Sequence, residues 1–232
     1  MLNKIKHRLI LFNLIKDIYQ SPLKNFLGFK GGTMAYFFYG LDRFSVDLDF
    51  DLLKKTDKEE IDKNLLPILT DYGEVLENIN KHYTYFYLLS YEKGERKIKI
   101  EISKRESDVS YIRVNFYGVD VKIQKIEDAF VKKLLACTTR KSIAFRDFYD
   151  VLFYFKKGII PNEKIIKKET GKNLKEYLDF LLRFVKKNVT NDKVLAAIGE
   201  LIDSGKKESI KKNFKEELIS TLSFFIDQRE RF

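Results

Sequence analysis

The sequence predicts an α/β fold of the α+β kind, a mixed sheet with helices followed by a purely helical half. Three observations carry this expectation. Residues 26–53 read as strand, glycine turn, short helix and second strand. Residues 75–123 alternate apolar and polar side chains with period two, the spacing of half-buried strands. After Lys125 the pattern is helical to the end, punctuated by Pro161, Gly171 and Gly205. The change of pattern places a boundary near Gln124 and predicts two domains, 1–124 and 125–232.

In chain order, Leu2, Ile5, Leu9, Phe12 and Ile15 recur at helical spacing and predict a first helix that Ser21-Pro22 ends. Residues 26–29 form a short apolar strand. Gly31 and Gly32 follow, and glycine permits positive φ and close approach to the backbone. Thr33 is placed to cap an apolar helix over 34–39, which Gly40 terminates. Exposed N–H groups at such a helix start suit a phosphate.

The strand expected over 45–53 would put Asp47, Asp49 and Asp51 on one face, and Val46, Leu48, Phe50 and Leu52 on the other. Three neighbouring carboxylates repel unless a cation sits among them, and oxygen-only donors favour Mg²⁺ or Mn²⁺. An Asp-x-Asp alone is ordinarily a solvated strand face, and Gly-Gly alone a turn. In this order, with a short helix between them, they point to metal-assisted chemistry on a nucleoside triphosphate.

Asp57-Lys58-Glu59-Glu60 opens a further helix to about Leu69. The aromatic stretch 82–91 reads as a strand. Lys93-Gly94-Glu95 turns it into Ile98, Ile100 and Ile102, with Glu101 among the outward residues of that strand. Strands over 111–116 and 119–123 flank Gly118. Helices are expected over 126–138, 146–156, 162–169, 174–187, 191–203 and 206–226.

Composition bounds the partners. The 232 residues carry a formal charge of +10, which favours polyanions without naming one. One cysteine, Cys137, excludes an intrachain disulfide and fits a reducing cytoplasm. His7 and His82 stand alone, so zinc is not expected. No apolar run approaches the ~20 residues of a membrane span, and the start of the chain reads as an amphipathic helix, not a cleavable signal.

Gly31-Gly32-Thr33, Arg43-Phe44-Ser45 and Asp47-Leu48-Asp49-Phe50 closely resemble the first motif of the AbiEii/AbiGii toxin family, within the DNA polymerase β-like nucleotidyltransferase superfamily. Lys133-Leu134-Leu135-Ala136 with Arg140, and Arg146-Asp147-Phe148-Tyr149-Asp150-Val151, resemble its later motifs. The resemblance runs from about Phe26 to Val151 and implies a polymerase β-like core plus a helical C-terminal domain. It implies transfer of a nucleoside monophosphate from an NTP to an acceptor, with tRNA the expected acceptor. It also implies a toxin paired with an antitoxin, in a toxin–antitoxin or phage-defence system.

Carried over by position, Asp47, Asp49 and Glu101 would hold two Mg²⁺ ions, and Lys133 and Asp147 would complete the catalytic set. The family more often has Asp where Glu101 stands, and Asp120 is the rival third acid. Gly31, Gly32, Thr33, Arg43, Ser45, Lys133 and Arg140 would bind the nucleotide, with Arg43 pairing Asp47 or a phosphate. Lys132 is the alternative register for Lys133, and Asp150 reads as a brace. Two further functions fit the same scaffold: a non-catalytic RNA- or protein-binding module, and an enzyme that modifies a protein side chain.

Overall fold

The computed structural model describes residues 2–228. The chain divides into two compact units, one of residues 1–40 and 44–125, the other of residues from 126 onward together with Leu41–Arg43. The second unit thus includes a three-residue loop from far upstream, which no linear boundary captures.

The first unit begins with helix α1 (Lys4–Gln20), capped by the Asn3 side chain, which accepts from Lys6 N–H. A short 3₁₀ turn at Pro22–Asn25 leads into strand β1 (Leu27–Lys30) and helix α2 (Gly31–Phe38). Then come β2 (Leu48–Leu52), α3 (Lys58–Tyr72), β3 (Glu74–Lys81), β4 (Thr84–Ser90), β5 (Ile98–Ser103), β6 (Tyr111–Phe116) and β7 (Val119–Gln124). The seven strands form one mixed sheet in the order β3-β4-β5-β2-β1-β7-β6. β2 runs antiparallel to β1 and parallel to β5, and β1 runs parallel to β7.

The register defines the two faces. Phe29 pairs with Phe50, Phe50 with Ile102, and Ile102 with Tyr85. All four are buried. On that side α3 contributes Ile61, Leu65 and Leu69 at four-residue spacing. The tyrosine-rich strand is largely core. The Tyr87 hydroxyl donates to Asp62 Oδ1 at 2.7 Å and the Tyr85 hydroxyl to the Thr56 carbonyl at 3.0 Å, so both buried phenols are satisfied. Tyr117 and Gly118, with φ of 50° and 87°, form the two-residue turn between β6 and β7.

Several local expectations are corrected. His82 and Tyr83 form the turn between β3 and β4, not the start of a strand. Helix α1 buries His7, Leu11, Leu14, Ile15 and Ile18, while Ile5 is 85% and Leu9 58% exposed. The helix is apolar on more than one side, so spacing alone does not select the packed face. Helix α2 starts at Gly31, three residues early, with no side-chain cap; Thr33 lies inside the helix. β2 starts only at Leu48, so Ser45 and Asp47 precede the strand.

The second unit holds α4 (Ile126–Thr139), α5 (Phe145–Lys156), α6 (Glu163–Thr170), α7 (Leu174–Asn188), α8 (Asn191–Ile198) and α9 (Ser204–Gln228). Asn173 and Glu176 form a reciprocal capping box at the start of α7, and Gly171, with φ 73°, ends α6. α8 stops at Ile198, short of the expected 203, and Gly205 lies within α9. Phe130 packs against Tyr154 and Phe155, joining α4 to α5. Among the described residues no helix is long and apolar enough to cross a membrane.

Candidate active site

In the first unit the acidic residues sort by what holds them. Asp49 of β2 and Glu101 of β5 are Cα partners on adjacent parallel strands, on the face opposite the Phe50–Ile102 core. Neighbouring strands lie about 4.8 Å apart, so the two half-buried carboxylates stand side by side. Asp120 is level with the far end of β1, two strands from β2, roughly four residues or 13 Å along the strand direction from Asp49. Glu101, and not Asp120, is therefore the acid beside Asp49.

Asp51 is 6% exposed and accepts from both Lys30 Nζ and the Tyr111 hydroxyl. The cation expected among the three aspartates is, for Asp51, supplied by the protein. Tyr111 reaches across Gly28, where an added Cβ would meet its ring at 2.3 Å. Glycine at 28 leaves that path open.

Asp47 lies just before the first residue of β2. The ladder between β2 and β5 ends at Leu48–Ile100, and the next N–H on β5, that of Lys99, donates to Asp47 Oδ1 at 3.2 Å. The Thr33 hydroxyl, fully buried, donates to the Asp47 carbonyl. Thr33 therefore anchors the Asp47 segment to α2 and does not cap the helix. Gly31, with φ +80°, sits against Asp49; a Cβ there would lie 2.3 Å from Asp49 Oδ2. The glycine turn and the first acid of the pair are thus in contact.

No three His, Cys, Asp or Glu side chains form a metal-holding cluster among the described residues. The Asp49–Glu101 pair nevertheless has the donor chemistry of a hard-cation site. Mg²⁺ is commonly held by one or two carboxylates, with substrate phosphates and water completing the shell.

The second unit contains a buried ion network. Arg43 forks Asp150, with Nε at 2.5 Å from Oδ1 and Nη2 at 2.7 Å from Oδ2. Arg43 is 3% exposed. Lys133 Nζ bridges Asp147 Oδ1 at 2.9 Å and Asp150 Oδ2 at 2.8 Å. Lys132 instead turns outward to Glu169 at 3.1 Å. The helix register thus separates the two lysines, and Lys133 is the one inside the network.

Burial works against charge on Asp150, yet Arg43 and Lys133 pull its pKa down to about 2. Burial likewise opposes the Lys133 ammonium, while Asp150 and Asp147 hold its pKa above the ordinary lysine value. Asp147 is fully buried. Arg140 Nη2 stands 3.1 Å from its Oδ2 without hydrogen-bond geometry, so that buried oxygen is left without a hydrogen bond. The Arg140 side chain is 45% exposed. Cys137 is buried nearby, its thiol pushed well above the usual range by desolvation. The roles of Lys30 and Tyr111 had no signal in the sequence, because both arise from side chains meeting across the sheet.

The chain resembles proteins of known structure over nearly its whole length. JHP933 from Helicobacter pylori superposes with a TM-score of 0.63 at 22% identity, covering 100% of this chain and 96% of that one. A candidate nucleotidyltransferase from H. pylori superposes with a TM-score of 0.60 at 23% identity, covering 98% and 96%. At such identities these likenesses speak to the fold. No curated protein sequence matches the chain. The family model of the nucleotidyl transferase AbiEii toxin, type IV toxin–antitoxin system, matches residues 13–227, and the chain therefore belongs to the AbiEii toxin family of nucleotidyltransferases.

Proposed function

We propose that the protein transfers a nucleoside monophosphate from an NTP to the hydroxyl of an RNA acceptor, with tRNA the leading substrate, and that this is how it acts as a toxin. The observation that carries this reading is the Asp49–Glu101 pair, in register on adjacent strands with the Gly31 turn against Asp49. Membership in a nucleotidyltransferase toxin family supports it. The +10 charge favours RNA over a neutral acceptor.

Asp49 and Glu101 would hold Mg²⁺ or Mn²⁺, with Asp47 joining when its carboxylate leaves the Lys99 N–H. When bound, the cation supplies charge neutralisation on the phosphates and acidifies the attacking hydroxyl. The Gly31 and Gly32 N–H groups at the start of α2 would cradle phosphate oxygens, and Ser45 would orient the nucleotide. Thr33 contributes by fixing the Asp47 backbone. In the helical unit, Lys133 and Arg140 are the proposed phosphate-binding cations. Asp147 is the proposed acid that orients them, and Arg43 acts through Asp150 as a positioning residue.

In the reaction the acceptor oxygen bonds to the α-phosphorus as the bond to the bridging oxygen breaks. Pyrophosphate leaves with that electron pair, and the hydroxyl proton passes to a carboxylate of the pair and on to solvent.

The test is incubation of the purified protein with each α-labelled NTP, Mg²⁺ and total tRNA, with Asp49→Ala as control. Label on tRNA with wild type alone supports the proposal and reports the base preference. Label on protein would move the acceptor to a side chain. RNA binding by both proteins without transfer to any acceptor would leave a binding module in place of the enzyme. In its toxin–antitoxin setting the expected partner is an antitoxin.

A further inference from the structure

The face that carries the acid pair continues outward across the sheet. Asp49 pairs with Glu101, Glu101 with Phe86, and Phe86 with Ile79. The four residues form one row across β2, β5, β4 and β3. At about 4.8 Å per strand the row is roughly 14 Å long. Its outer end is aromatic and basic. Lys81 Nζ stands 3.5 Å from the Phe86 ring centroid. At the turn beyond it, Tyr83 is 51% exposed, with the Arg105 guanidinium 4.6 Å over its ring and the His82 ring edge-on at 4.2 Å. On the opposite face of the hairpin Lys104 lies over the Tyr85 ring and donates to Asn80 Oδ1 at 2.8 Å.

This hairpin tip is not needed to close the core, because the core face of β4 is filled by Tyr85, Tyr87 and Leu89. An exposed aromatic ring beside guanidinium and ammonium groups is what a single-stranded polynucleotide requires. The bases stack on the ring, and the cations take the phosphates. The Arg105 and His82 contacts hold the Tyr83 ring before any base arrives, which lowers the ordering cost of binding.

We propose that the β3–β4 hairpin, through Tyr83, Arg105 and Lys81, is the docking platform for the single-stranded end of the RNA acceptor, which then runs along the Asp49–Phe86 row towards the acid pair. The proposal rests on the transferase reading above for its direction, and on Tyr83 and the two cations for binding itself. It implies a preference for acceptors with an unpaired end, since a base locked in a duplex cannot stack on Tyr83.

The test uses the full chain, wild type and three variants: Tyr83→Ala, Tyr83→Phe and Arg105→Glu. Binding of a short labelled single-stranded RNA of mixed sequence is measured at two salt concentrations. KM and kcat are measured for label transfer to total tRNA, and melting temperatures check folding. Tyr83→Ala is expected to weaken RNA binding and raise KM about tenfold at unchanged kcat. Tyr83→Phe, which keeps the ring, should bind as wild type. Arg105→Glu should weaken binding and flatten its salt dependence by about one phosphate contact.

Transfer by wild type with unchanged binding and KM in Tyr83→Ala and Arg105→Glu would overturn the platform and leave the transferase reading intact. RNA binding that depends on Tyr83, with no transfer by wild type, would do the reverse. Loss of binding in Tyr83→Phe as large as in Tyr83→Ala would also overturn the platform, because the ring would not be what the RNA uses.

Discussion

Gly31 and Asp49 touch: a Cβ built on Gly31 would stand 2.3 Å from Asp49 Oδ2. The glycine also holds φ at +80°, where a side chain is strained by roughly 1–2 kcal/mol. Gly31→Ala should therefore displace the Asp49 carboxylate as well as strain the turn. The expected outcome is loss of nucleotide transfer out of proportion to a small drop in melting temperature. Activity equal to wild type in a folded Gly31→Ala protein would show that Asp49 does not need its present position.

Asp49, Glu101 and Asp51 lie on the same pair of strands, and Asp49 and Glu101 are the two in register, whereas Asp51 accepts from Lys30 and Tyr111. Asp49→Asn and Glu101→Gln should each lower transfer on the order of a hundredfold or more, whereas Asp51→Asn and Asp120→Asn should keep most of it. Asp51→Asn should instead lower stability, by weakening the Lys30 and Tyr111 contacts. A steady-state rate and a urea midpoint for each variant separate the two effects.

Chelation should stop transfer, and Mg²⁺ or Mn²⁺ should restore it. At tenfold excess over its dissociation constant a bound cation stabilises by about 1.4 kcal/mol. The melting temperature of wild type should therefore rise with Mg²⁺, and that of an Asp49→Asn, Glu101→Gln double variant should not. An equal rise in both proteins would place the metal elsewhere.

Arg43 and Asp150 form a bidentate pair from which water is excluded. Arg43→Ala leaves Asp150 with Lys133 alone and should cost about 3–5 kcal/mol. Asp150 is held near 2 in the fold, against about 3.9 in an unfolded chain. Because the folded value is the lower one, its contribution is complete above about pH 4 and is lost as pH falls towards 2. Urea midpoints measured through that window should fall more steeply for wild type than for Asp150→Asn.

His7 is fully buried. Its Nε2 donates to the Val46 carbonyl and its Nδ1 accepts from Tyr91, both at 2.9 Å. Burial lowers its pKa below 6.5. The unfolded chain then binds the proton first, so stability should fall as pH drops below about 6.5. His7→Leu should be less stable at neutral pH and should lose that dependence. A melting curve at pH values spanning this range decides it.

Alternating side chains between residues 75 and 123, the glycines at 31 and 32 and the helical pattern after Lys125 are local features. They depend on backbone period and on neighbours within a turn, so the sheet, the helical half and the position of Asp49 opposite a core strand were legible in the sequence. The partners of the charged groups were not. Arg43 reaches Asp150 across 107 positions, Tyr111 reaches Asp51 across 60, and Asp47 accepts from the Lys99 N–H across 52. Thr33 likewise has cap chemistry, yet its hydroxyl is used on the Asp47 carbonyl. A strand's period assigns a face to each residue; which neighbour each acid meets depends on strand order and register, and those exist only once the chain has packed.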